Sequence, residues 1–420
     1  MDPVTNPYSP GTGSPPPELA GRDELREQVR ISIARLKISK PSKSVIMVGL
    51  RGVGKTVLLD QLRKDATSNG ILSVRIEAPE HRSLPALLAP QLRGALLKLS
   101  RVESAADMAK KGLKALAGFA KSLKVKYNDI EVGFDFDPEP GLADNGELEG
   151  DLASLLEQVG LAARSAKTAA VLFIDELQYI HEEQLAALIS ALHACSQASL
   201  PITVVGAGLP QLRGMAGQAK SYAERLFDFP MIGPLPAASA ELAIVKPARE
   251  QQIEFEPDAV RAIISWTHGY PYFLQEWGKH AWEVATQSPI TVADVQLASK
   301  TAIAALDESF FRVRFDRLTP AEKTYLRAMA DLGPGPHRSG DIADRLGRSS
   351  QSLGPCRSSL IGKGMIWSPN YGDTAFTVPL FDEFMKRIIP EMTGLHRSEA
   401  SGSPGSWCAT KMVRNSVRPH

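Results

Sequence analysis

Residues 44–56, SVIMVGLRGVGKT, decide the fold. The first six, Ser44 to Gly49, are apolar and β-branched, the composition of a buried strand. Residues 49–56, GLRGVGKT, then match the pattern G-x-x-x-x-G-K-[ST], and VLLDQLRKDA after them carries its apolar residues along one helical face. Strand, glycine loop and helix in this order are the context in which the pattern cradles phosphate. Gly49, Gly52 and Gly54 let the backbone bend so that its N–H groups, among them those of Leu50, Arg51 and Val53, turn inward toward phosphate oxygens. The helix that begins near Lys55 adds its positive N-terminal end. Lys55 is placed to reach the β- and γ-phosphates of a nucleotide, and Thr56 to hold Mg2+.

About 120 residues further on, AVLFIDELQYI at 170–180 opens with an apolar run that ends in Asp175 and Glu176. Such a run reads as a buried parallel strand, with its carboxylates at the C-terminal edge of the sheet, where α/β proteins bind ligands. Asp175 is expected in the Mg2+ shell. Glu176 is expected to orient and polarise a water for attack on the γ-phosphate. Alone, the pair could equally be a solvated strand end; the phosphate loop makes it the second half of a nucleotide site.

The chain has 420 residues, enough for two to four domains, and 43% of them are hydrophobic. No apolar run approaches the roughly 18 residues of a transmembrane helix. The start, MDPVTNPYSP, lacks the basic and apolar regions of a secretory signal. The three cysteines, Cys195, Cys356 and Cys408, are far apart and suggest neither a zinc site nor a disulfide framework. A cytoplasmic location is expected. A net charge of +1 gives no global field for nucleic acid, so any such binding needs a local patch.

Residues 1–17, rich in Pro, Gly and Ser, are expected to be extended or disordered. Asp23 can cap a helix carrying Leu25 and Val29 inward, and ILSVRIEA is a second strand. Residues 84–124 read as helical, ending in the basic run Lys110, Lys111, Lys114, Lys121, Lys124 and Lys126, either a solvated face or a DNA contact. VKYNDIEVGFDFD, residues 125–137, alternates like a strand or hairpin, and 131–150 is acidic; about 101–150 looks like an insertion in a nucleotide domain spanning 18–235. Helices are expected at 151–165 and 182–197, and PITVVGAGLPQL is another buried strand.

From about Pro236 to 317 the pattern is helical, with helices expected at 239–250, 257–267, 271–286 and 292–308, which suits a helical lid. Residues 318–390 change again. LTPAEKTYLRAMADL, with Thr319 as cap, SGDIADRLG and SSQSLGPCRSSLIGKGMI read as three helices, followed by a hairpin with Asn370 to Asp373 at its tip. Three helices and a hairpin are a winged helix, whose third helix would enter a major groove. Between 311 and 365 ten Lys or Arg face five Asp or Glu. Arg357 and Lys363 suit phosphate contact, Gly354-Pro355 should kink or delay the third helix, and the wing tip carries no cation between Ser368 and Thr377. Such a module docks either DNA or protein. Residues 396–420 read as disordered.

These pieces, in this order over about 18 to 390, resemble AAA+ ATPases of the origin-initiator and archaeal-ATPase group, with STAND-like features. The resemblance implies a three-layer α/β P-loop sheet, then a lid, then a winged helix. It makes Gly21-Arg22 the motif that borders the adenine, residues 49–56 the Walker A loop, and Asp175 and Glu176 the Walker B pair. SYAERLFDFPMIGPL looks like the group's arginine-finger segment, placing the finger at Arg225; a surface charge at a helix end is the equal alternative. Two positions depart from the group. Gly206, Ala207 and Gly208 stand where a polar sensor is usual, with Thr203 near the strand's start, and Tyr272 takes the slot of the lid arginine. Both departures imply weak catalysis. The expected function is ATP binding with slow Mg2+-dependent hydrolysis, used to switch conformation or assembly and coupled to DNA, with Lys55, Glu176 and Arg225 as the catalytic set. The alternative is a signalling or scaffold protein with little turnover that docks a protein or another copy of itself.

Overall fold

Five parallel strands form the central sheet of the computed structural model, which describes residues 1–11, 16–80, 82–130 and 136–390. They are β1 (Ser44–Val48), β2 (Leu72–Glu77), β3 (Ala170–Asp175), β4 (Ile202–Gly208) and the short edge strand β5 (Phe227–Asp228), in the order β2-β3-β4-β1-β5. Successive side chains of a strand point to opposite faces, and here both faces are covered. Ile46, Val48, Leu172, Ile174 and Val204 face the helices Leu84–Leu99, Ala106–Leu123, Leu148–Ser165 and Glu182–Gln197. Val45, Met47, Val171, Phe173 and Val205 face Asp23–Lys37 and Lys55–Ser68. This is the expected three-layer P-loop sheet, and it explains why β1 and β3 are buried at every position. The register sets β4 between β1 and β3, so the loop after β1 and the carboxylates after β3 flank the glycine-rich end of β4.

Three expectations change here. Residues 1–11 are packed, not loose: Tyr8 is buried and its hydroxyl donates to the Ile244 carbonyl, the Met1 ammonium donates to the Ala285 carbonyl at 2.5 Å, and Trp282 Nε1 donates to the Asp2 carbonyl at 2.9 Å. Aromatic burial and end-group hydrogen bonds outweigh the loop-like composition. Asp23 is the first residue of its helix and the cap position is Arg22. The strand or hairpin expected at 125–137 is absent from 125–130, which turn back on the preceding helix with Tyr127 N bonded to Leu123 O at 2.8 Å; 131–135 lie outside the described residues, as does the 396–420 tail.

Beyond the sheet come the helices Ala237–Glu250, Pro257–Thr267, Pro271–Val284 and Val292–Leu306, within two residues of expectation. The last continues through one π turn, Asp307–Phe311, into Arg312–Phe315. Then follow Pro320–Asp331, closed by a Thr319–Glu322 capping box, β6 (His337–Arg338), Ser339–Leu346, Ser350–Gly362, β7 (Ile366–Trp367), β8 (Asp373–Phe376) and Phe381–Ile388. The strands pair antiparallel in the order β6-β8-β7. Pro355 does not delay the third of these helices, which starts at Ser350 under a Ser349 cap and runs through the proline. The lid helices and this C-terminal region share one core. Phe311 stacks on Phe384 at 5.1 Å, and Phe273 meets Phe310 edge-on at 5.5 Å. Each buried ring contributes about 2–3 kcal/mol, so the two parts are not loosely tethered modules.

Candidate functional site

The glycine loop is shaped from both sides. The chain returning at Ile232 bonds the end of β1, Ile232 N to Val48 O at 2.7 Å, and a Cβ on Gly49 would lie 2.1 Å from the Ile232 carbonyl oxygen. Only glycine fits there. Gly54, at φ +87°, is the cap residue of Lys55–Ser68, and no side chain caps that helix. Its leading N–H groups are therefore available to a ligand. The Lys55 ammonium donates to the carbonyls of Gly49 at 2.9 Å and Leu50 at 2.8 Å. Burial pushes it down to about 8, against the pull of Glu176 and Asp175.

Across the end of β4, Asp175 is buried and accepts from the Glu176 backbone N–H at 2.9 Å and from the Thr56 hydroxyl. Burial raises its carboxyl above the usual range, with the Thr56 hydroxyl acting in the opposite sense. Thr56 and Asp175, expected to share a metal, are thus brought together. Glu176 adopts a left-handed backbone, φ +54°, a conformation that costs free energy in a non-glycine residue and clusters at functional sites. Its carboxylate accepts from Gln178 Nε2 and lies 3.9 Å from the Arg51 guanidinium.

The sequence reading missed Gln178. Its Oε1 accepts the Leu209 N–H at 3.0 Å. A Cβ on Gly206 would come 2.3 Å from Leu177 Cδ1, and one on Gly208 would come 2.8 Å from Gln178 Oε1. The small residues at the end of β4 therefore clear space for Leu177 and Gln178, and the amide beside Glu176 comes from the turn after β3. Two glycines opposite a glutamine were the available signal. Thr203 lies at the other end of β4, bonded to the Ser44 hydroxyl at 2.8 Å.

Arg22 closes the second side of the cleft, donating to Gly233 O at 2.6 Å and Val53 O at 3.4 Å, which ties the loop to the chain after β5. Gly21, at φ +68°, lets the backbone pass Ser239. The cleft measures about 610 Å³ and is lined by the loop, Arg22, Glu176, Tyr179, Tyr272 and Arg314. Tyr272 N donates to Gly52 O at 3.2 Å and its ring stacks on Phe310 at 4.7 Å, so the slot of the lid arginine holds no charge. The C-terminal region reaches the loop directly: Arg51 N donates to Thr377 O at 2.9 Å, and Arg317 pairs with Glu80 at 2.6 Å. The Arg51 guanidinium bonds the Tyr179 hydroxyl at 2.9 Å, while its Nε is buried with no partner.

Arg225 is not among the residues that line this cleft. It is exposed on the short helix Ala223–Leu226 and forms no ion pair among the described residues. Arg357 and Lys363, expected to face a phosphate backbone, are engaged internally. Arg357 donates to Thr374 Oγ1 at 3.0 Å, Asp373 O at 3.1 Å and the Ser368 hydroxyl, holding the hairpin, and Lys363 pairs with Glu322 at 2.7 Å. The basic run keeps Lys110, Lys111, Lys121 and Lys124 exposed, while Lys114 pairs with Glu139 at 3.6 Å and Lys126 with Glu183. Among the described residues no group of His, Cys, Asp or Glu forms a further metal cluster, and no helix is long and apolar enough to cross a membrane.

Residues 18–205 match the family model described as AAA ATPase domain, and residues 308–385 match a domain of unknown function, DUF8462. No curated protein matches the chain. Among solved structures, a Walker-type ATPase of Pyrococcus abyssi is similar at 15% identity and a TM-score of 0.55, over 88% of this chain and 96% of that one. The Aeropyrum pernix ORC1 protein in complex with DNA aligns at 14% identity and 0.46, over 89% and 94%. The Thermotoga maritima RuvB Holliday junction branch migration motor aligns at 15% and 0.42, over 89% and 96%. The sheet, its flanking helices and the helical region after them have the AAA+ P-loop α/β fold.

Proposed function

We propose that the chain binds ATP with Mg2+ in the cleft between the sheet and the C-terminal region, hydrolyses it slowly, and uses the nucleotide to switch conformation or assembly. One observation carries the reading: the glycine loop, Lys55, Thr56 and Glu176 line one 610 Å³ cleft, a size suited to a small-molecule ligand, and Asp175 bonds Thr56 beside it. The donor set suits a triphosphate. Uncapped helix N–H groups, a buried Arg51 Nε and an ammonium resting on its own loop's carbonyls make no hydrogen bond to a carboxylate among the described residues.

In this reading the loop amides and Lys55 hold the phosphates, and Arg22 stands at the adenine side. Thr56 and Asp175 would hold Mg2+, which would neutralise the charge that develops on the transferring phosphoryl group. Glu176 orients the attacking water and takes its proton. Slow turnover follows from two restraints. Glu176 is engaged by Gln178 and Arg51, and Tyr272 supplies no cation at the lid. Arg225 completes the site from a neighbouring copy.

DNA is the weaker partner for the C-terminal helices, whose winged-helix reading rests on element order. Arg357 and Lys363 are occupied, leaving Arg338 and Arg348 as exposed cations without an ion pair among the described residues. Gel shifts with and without ATP read that point. For hydrolysis, phosphate release from ATP by purified protein is expected with Mg2+ and lost with a chelator. No release at any protein concentration would leave the non-hydrolysing scaffold reading in its place.

A further inference from the structure

The one strongly basic wall of the cleft that the nucleotide motifs do not supply comes from the segment after the lid. Arg314 lies on Arg312–Phe315, directly beyond the π turn, and lines the cleft opposite the loop. Local π geometry within a helix is a frequent mark of function. The guanidinium sits over the Phe310 ring, 4.3 Å from its centroid, and donates to the Phe310 carbonyl. Phe310 stacks on Tyr272, whose N–H bonds Gly52 of the loop. A continuous set of packed contacts therefore runs from the glycine loop to Arg314.

The neighbouring cations are spoken for. Arg317 pairs with Glu80, Lys363 with Glu322 and Arg387 with Asp307. Arg314 forms no ion pair among the described residues, and Arg51 has only Glu176, at 3.9 Å. Burial, then the nearby Arg51, push the Arg314 guanidinium down to about 10. Two partly buried guanidiniums near one carboxylate are short of negative charge, and each presents a planar fork suited to a phosphate.

We propose that the region matching the domain of unknown function reads the terminal phosphate of the nucleotide through Arg314, with Arg51 facing it across the cleft. The proposal rests on the ATP reading above and adds to it the residue that separates ATP from ADP. The loop amides and the helix end serve the inner phosphates, which both nucleotides carry. Arg314 lies within electrostatic reach of the Glu176 carboxylate, the group assigned above to the water that attacks the third phosphate. Its segment runs on into Pro320–Asp331, and Thr377 from the same region accepts from Arg51 N. A terminal phosphate held by Arg314 thus draws the C-terminal region onto the loop, and its loss removes that tie. Tyr272 leaves the lid slot uncharged, and Arg314, packed beside it through Phe310, supplies a cation from the same wall.

Calorimetric titration of ATP and ADP, each with Mg2+, into the wild-type chain, Arg314→Gln and Arg314→Lys tests this. Arg314→Gln is expected to weaken ATP by about tenfold or more and ADP by less than about twofold, with Arg314→Lys recovering part of the loss. Equal weakening of both nucleotides, or of neither, overturns the proposal. A wild-type chain that binds neither nucleotide overturns the ATP reading itself and this inference with it, a result distinct from the other two. Should Arg314→Gln fail to fold, hydrogen exchange on the wild-type chain decides: amides of 312–331 should exchange more slowly with ATP than with ADP, and identical exchange contradicts the proposal.

Discussion

The two walls of the cleft are built differently. The sheet wall comes from two short stretches, residues 44–56 and 170–180, in which each functional group is fixed by its own strand or loop. The opposite wall comes from Tyr272, Arg314 and Lys363, separated by up to 91 positions and brought together by the shared phenylalanine core and the hydrogen bond from Arg51 to Thr377. The first wall carries the chemistry that every P-loop needs. The second has no motif, and on the proposal made above it is the side that senses the nucleotide and passes the state on.

If that division holds, the largest effects on turnover come from groups placed for the reacting phosphate. Arg225→Ala should lower ATP turnover by about 10³-fold, the scale of a trans-acting finger, while monomer ATP binding survives. Mixing it with Glu176→Gln protein should restore activity, because one interface then pairs an intact Glu176 with an intact Arg225. Normal turnover in Arg225→Ala would confine the site to one copy and leave the comparison complete without a third wall. Glu176→Gln, assayed alone, should retain ATP binding and lose roughly 10²-fold in turnover. An unchanged rate would move the water-orienting role off the sheet wall.

The second wall should show its importance in stability more than in rate. Burial works against the Glu322 charge, but the Lys363 ammonium, the Thr319 N–H and the Ser359 hydroxyl hold its carboxyl at about 2. With the folded value below the unfolded one, this pairing stabilises the protein above pH 4.5 and the contribution fades as pH falls toward 2. Glu322→Gln is expected to cost roughly 2 kcal/mol in denaturant unfolding at neutral pH. That loss should shrink as the pH is lowered through the same window. A pH-independent loss would assign the effect to packing.

The smallest signal is a proton. The Lys55 ammonium is pushed down to about 8, and bound phosphate raises it again. The complex then holds more proton than the free protein near pH 8 to 9, so ATP affinity falls as pH rises through that range. Calorimetry at pH 8.5 in buffers of different ionisation heat should report proton uptake. Release, or no exchange, would place Lys55 away from the phosphates.

The contrast between the walls also explains what the sequence disclosed. Residues 44–56 and 170–176 were legible because strand, loop and helix are consecutive, and glycine spacing encodes backbone shape. Helix bounds in the lid were legible from periodicity. Gln178 was not, because its role depends on the empty space over Gly206 and Gly208 on another strand. Arg314 was not, because nothing near it in the chain marks it as different from Arg312 or Arg317; only the fold aims it into the cleft. Arg357 and Lys363 looked free in the sequence, and the hairpin and Glu322 take them. The packed start of the chain was hidden by its composition, since Tyr8 and Met1 find partners about 240 to 280 residues away.

The central claim is that ATP sits in this cleft on the glycine loop. Titration of ATP with Mg2+ into the wild-type chain and Lys55→Ala tests it most directly. The account predicts saturable binding by the wild type and affinity weaker by tenfold or more, about 1.4 kcal/mol, in the variant; equal affinities would contradict it.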